Sequence, residues 1–134
     1  MIRDHVLPPR AVENRILRGE IFAAEVLSYL WRQTPANPTG LCIRIGIEIA
    51  DRDGYAHLFD AIDIANRGRL ASAFASAGLA MPRDGIDSAI ADLVGRRAAI
   101  VPKLITPRQG KHAGIPKSVV GQWLMPAAAD VVSH

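Results

Sequence analysis

The stretch "LCIRIGIEI" (41–49) constrains the fold more than any other part of this 134-residue chain. Leu41, Ile43, Ile45, Ile47 and Ile49 alternate with Cys42, Arg44, Gly46 and Glu48. Successive side chains of an extended strand point to opposite faces, so a period of two gives a strand with one wholly apolar face. A helix would scatter the four isoleucines around its circumference. An apolar strand face must be covered, which calls for a sheet with a core on one side. At this length one domain with one core is expected.

Further strands surround this one. "IFAAEVLSYLW" (21–31) is rich in branched and aromatic residues and reads as a first strand. Strict alternation puts Phe22, Ala24, Val26, Ser28 and Leu30 on its core face. Ile21, Ala23, Glu25, Leu27, Tyr29 and Trp31 then lie on the outer face. "RQTPANPTG" (32–40), with two prolines and a glycine, is expected to be a loop. After the second strand, "ADRDG" turns the chain and "YAHLFDAIDI" (55–64) reads as a third.

The period changes in "NRGRLASAFASAGL" (66–79), where Leu70, Ala73, Phe74 and Ala77 fall at helical spacing. Asn66 suits the start of this helix and Gly78 its end. "DSAIADLVG" (87–95) reads as a short second helix, capped by Asp87 or Ser88 and stopped by Gly95. "RRAAIVPKLI" (96–105) is a fourth strand, in which Pro102 removes a ladder donor and so belongs at an edge or a bulge. "SVVGQWLMP" (118–126) is a fifth, bent at Gly121. Residues 1–18 read as an N-terminal arm, expected to be mobile, 19–126 as the domain and 127–134 as a short tail. A helix between the third and fourth of five strands points to the OB-fold, a small Greek-key barrel. Such barrels bind oligonucleotides across strands 2 and 3 and with the 1–2 and 4–5 loops.

Charge adds a direction. Net charge is only +3, yet residues 93–129 carry Arg96, Arg97, Lys103, Arg108, Lys111 and Lys117 and no acid. Separated charge of this kind makes a basic face on a nearly neutral body. Half of those cations sit in "TPRQGKHAGIPK" (106–117), the expected 4–5 loop.

Several stretches together resemble a family of small phage and prophage proteins regarded as OB-fold and single-stranded-DNA-binding-like. "LRGEIFAAEV" is similar to the family's opening strand and "GLCIRIGIEIADRDG" to its second strand and turn. "DIANRGRLASAFASAGL" is similar to its alanine-rich helix, "DLVGRRAAIVPKL" to the strand after a Leu-x-Gly-basic turn, and "SVVGQWLMP" to the closing strand. The likeness covers about residues 17–126. It implies binding of single-stranded DNA with little sequence preference, in phage or mobile-element replication or recombination.

Such a binder needs cations along a groove and flat side chains for bases to stack on. The phosphate-contacting residues expected are Arg32, Arg44, Lys103, Arg108, Lys111 and Lys117, with His112 stacking or donating a hydrogen bond. Tyr29 and Trp31 are the expected stacking residues, followed by His57. The same Leu27/Tyr29/Trp31 face would equally pair two protomers, and a homodimer is expected from it. It would also dock a recombination or replication protein, which makes an OB-like adaptor the rival reading. Trp123 and Phe59 read as core residues before stacking residues.

Other chemistry finds little footing. Cys42 is the one cysteine, so there is no disulfide framework or thiolate metal cluster. His57 and His112 lack a second ligand at a metal-binding spacing. "DRDG" (51–54) starts like a calcium loop but lacks the later ligands. Asp60 and Asp63 need not converge, and no nucleophile elbow, Walker A loop or zinc-protease motif occurs. The chain is therefore read as a non-enzyme without metal or cofactor. With neither a spanning apolar run nor a signal peptide, it is read as cytoplasmic.

Overall fold

The structure, a computed structural model, describes residues 16–17, 20–34, 37–51, 54–111 and 113–125. The expected arm, apart from Ile16 and Leu17, lies outside the described residues, as do the expected tail and His112. The elements run β1 (Phe22–Thr34), β2 (Asn37–Asp51), β3 (Gly54–Asp63), α1 (Arg67–Ser76), α2 (Ile86–Ala89), a 3-10 turn (Ile90–Leu93), β4 (Arg97–Ile105) and β5 (Lys117–Leu124). The five strands form one antiparallel sheet in the order β3-β2-β1-β4-β5. Among the described residues no helix is long and apolar enough to cross a membrane.

β2 has the two faces its alternation predicts. Ile43, Ile45, Ile47 and Ile49 are all 0% exposed. They meet Leu58 and Ile62 of β3, Val26 of β1 and Ile100 of β4 in one core. α1 closes that core with Leu70, Ala73 and Phe74, and the 3-10 turn adds Ile90 and Leu93. The Asn66 side chain caps α1 by accepting from the Arg69 N–H at 3.2 Å. Ser76 pins the same helix to β4. Its hydroxyl donates to the Ala99 carbonyl at 3.0 Å and accepts from the Ala99 N–H at 3.1 Å.

β1 departs from strict alternation. Its register with β2 runs Val26 to Ile47 and then Ser28 to Gly46, leaving Leu27 as an extra residue. A bulge of this kind reverses the faces of everything beyond it. Phe22, Ala24 and Val26 face the core as expected, but Trp31 then joins them at 9% exposure and Tyr29 packs against the same cluster. The outer Leu27/Tyr29/Trp31 face, on which both base stacking and dimer pairing were expected, is therefore not formed.

Two boundaries also differ. Residues 32–40 are mostly strand, not loop. Arg32 pairs with Cys42 and Thr34 with Asn37, with a second register shift between Arg32 and Thr34. Ladder bonding outweighs the turn propensity of this Pro- and Gly-containing stretch, because each paired residue satisfies backbone groups a loop would leave to water. α2 begins one residue before Asp87, with Gly85 at its cap position in the left-handed region (φ +71°) and no side-chain cap.

The sheet's two edge strands are brought together by side chains. Arg69 of α1 donates from Nε to Asp60 Oδ2 of β3 at 2.8 Å. Its Nη1 and Nη2 donate to the Gly121 and Val120 carbonyls of β5 at 3.2 and 3.0 Å. Trp123 Nε1 of β5 donates to the same Asp60 oxygen at 2.6 Å. β4 has a register shift between Val101 and Pro102, the position where Pro102 removes a ladder donor. Gly121 lies against that bulge. A Cβ there would stand 2.9 Å from the Val101 carbonyl oxygen and 3.1 Å from Lys103 Cβ, so the approach of β5 to β4 requires glycine.

Candidate nucleic-acid interface

The face of β2 opposite the isoleucines carries the polar residues. Gly46 stands across from Phe59 of β3, and Arg44 across from Ala61. Because Gly46 offers no side chain, the Phe59 ring is met diagonally by Arg44. The guanidinium carbon lies over the ring, 3.9 Å from its centroid. Arg32 of β1 pairs with Cys42, two steps along the ladder from the Leu30–Arg44 pair and so on the same face, and its Nη1 donates to the Trp31 carbonyl at 2.7 Å. Partial burial first, and the charge of Arg32 second, lower the Arg44 pKa from its ordinary value.

β4 and β5 supply the opposite wall. Ile105 pairs with Lys117 and Lys103 with Val119, so both lysines share one face of the hairpin. Together with Arg44, Phe59 and Arg69 they line a groove of about 460 Å³. Arg69 is already held by Asp60 and two carbonyls, which leaves Arg44, Lys103 and Lys117 as the groove cations without a carboxylate partner among the described residues. Three expected site residues thus meet at one place, from strands far apart in sequence.

None of the other expected site residues that the structure describes lines the groove. Tyr29 and Trp31 belong to the core side of β1. His57 lies farther along the same β2–β3 face, where its Nε2 is 2.8 Å from Glu48 Oε2, and both side chains are largely buried. Arg108 and Lys111 are exposed on the β4–β5 loop, outside the groove lining. That loop folds on itself, with the Gly114 N–H donating to the Pro107 carbonyl at 2.8 Å and Gly110 and Gly114 at φ +89° and +80°.

Of the other groove residues, the sequence reading ranked Phe59 low and missed Arg69. Phe59 reads from sequence as a core residue before a stacking residue, yet it shares the outer face with His57 and Ala61, while Leu58 and Ile62 point inward. Holding β3 to the parity of Leu58 and Ile62 would have found it; buried Asp60 in the inward set hid that parity. Arg69 carries no local signal, since its β5 partners lie more than 50 positions away. Among the described residues, no group of three or more His, Cys, Asp or Glu is arranged to hold a metal ion. In comparison with known proteins, no family model matches the chain and no curated protein matches its sequence.

Proposed function

We propose that this chain is an OB-type barrel that binds single-stranded DNA with little sequence preference, in phage or mobile-element replication or recombination. The strand order β3-β2-β1-β4-β5, with edge strands β3 and β5 bridged through Arg69, Asp60 and Trp123, supports a five-stranded Greek-key barrel. The helix α1 between β3 and β4 agrees with that topology. In such barrels the β2–β3 face and the 4–5 hairpin border the oligonucleotide site. The replication or recombination setting is supported by the resemblance of residues 17–126 to the phage family.

The groove carries the proposal. It sets Arg44 and Phe59 on one wall against Lys103 and Lys117 on the other, a spacing of charge and flat surface suited to a phosphate chain with unstacked bases. Arg108 and Lys111 extend the cationic track along the adjoining loop.

A fluorescence titration with oligo-dT tests this. Binding is expected to weaken with salt along a log–log slope of about −2 to −4, for roughly three to six neutralised phosphates. Lys103→Gln and Lys117→Gln are each expected to flatten the slope by about 0.7. Absent or salt-independent binding would refute the proposal.

A further inference from the structure

The chain's aromatic rings are nearly all committed elsewhere. Phe22, Trp31, Phe74 and Trp123 are in the core, and Tyr29 packs against it. Tyr55 is partly exposed but pairs with Ala50, near the β2–β3 turn and away from the groove. Among the described residues, Phe59 is the one ring lining the groove, and Arg44 lies over it. A strand entering the groove therefore meets a guanidinium where an aromatic face would be expected.

That guanidinium is an adequate substitute. It is planar, delocalised and weakly hydrated, and it stacks on flat π systems in a way an ammonium does not. Unstacked bases lie on arginine planes as they lie on aromatic rings. Arg44 is also short of an anion. It is half-buried, Arg32 repels it, and among the described residues it meets no carboxylate. A partly desolvated cation without a counter-charge is costly, and a polyanion entering the groove relieves that cost.

We infer that Arg44 is the stacking platform of the groove: a base lies on the outer face of its guanidinium, Phe59 backs the inner face, and the adjoining phosphates sit on Lys103 and Lys117. This rests on the groove being a single-strand site. It adds that the flat contact is made by an arginine, so that charge and stacking reside in one side chain and can be separated by one substitution.

Arg44→Lys keeps the charge and removes the plane. Oligo-dT and an oligomer of the same length built from abasic sugar–phosphates present equal phosphates with and without bases. The wild type is expected to prefer oligo-dT. In Arg44→Lys, affinity for oligo-dT is expected to fall roughly 5- to 150-fold, the loss of one base stack. Binding of the abasic oligomer and the salt slope are expected to stay at wild-type values. Phe59→Leu, which removes the backing ring, is expected to lose part of the preference for oligo-dT with an unchanged slope, and thermal unfolding checks that both variants are folded. Equal losses on the two oligomers, or none, overturn the inference and leave the single-strand site standing. A wild type that binds oligo-dT with the expected slope but no better than the abasic oligomer does the same. A wild type that binds neither removes the site itself, and this assignment with it.

Discussion

Trp31 has a role that stability measurements can separate from binding. As an outward residue it would contribute to a base stack and little to folding. As observed, its indole is 9% exposed and belongs to the cluster that includes Ile43, its partner across the β1–β2 ladder. Truncating a core tryptophan removes its transfer energy and leaves a cavity. Trp31→Ala is therefore expected to lower unfolding free energy by about 3–5 kcal/mol. The folded fraction is expected to bind oligo-dT with an unchanged salt slope. Urea unfolding followed by circular dichroism gives the first quantity and titration at low temperature the second. A variant with wild-type stability and weakened binding would return Trp31 to the groove.

At the scale of the element, legibility followed the purity of the pattern. β2 was plain because its apolar set is all Leu and Ile and its other set is small or charged. α1 was plain for the same reason at a different period, with Leu70, Ala73 and Phe74 inward and Asn66 capping. β1 failed because Ala, Ser, Leu and Tyr tolerate either face, so its sequence does not mark where the alternation breaks. The bulge at Leu27 is fixed by pairing with β2 and β4, which no local window contains. Deleting Leu27 tests this. Without the extra residue, Phe22–Val26 and Tyr29–Trp31 cannot both face the core. The deletion variant is expected to lose its cooperative thermal transition; a wild-type midpoint would show that the bulge is dispensable.

For the molecule as a whole, the groove and the bridge between the sheet's two edge strands raise one question, because both depend on β3 lying beside β5. Arg44, Lys103 and Lys117 were legible from charge separation and strand parity. What brings them to one groove was not. It is a junction in which a helix arginine and a strand tryptophan, far apart in sequence, share one buried carboxylate. Such a junction has no sequence period. It holds by hydrogen bonds to Asp60 rather than by a backbone ladder, so its strength is open to a double-mutant cycle. Asp60→Ala leaves the indole N–H and the Arg69 Nε–H without their acceptor and is expected to cost about 3 kcal/mol. Trp123→Phe removes one donor and keeps most of the apolar bulk. If the indole–carboxylate bond joins β3 to β5, the two changes are not additive, and unfolding in urea should give a coupling of about 1 kcal/mol or more. Oligo-dT affinity is expected to fall with Asp60→Ala although Asp60 is, among the described residues, the one carboxylate lining the groove and its removal makes the groove more positive. Simple charge counting predicts tighter binding, so the sign of that change decides whether Asp60 acts on the strand through its charge or through the junction that sets the two walls apart.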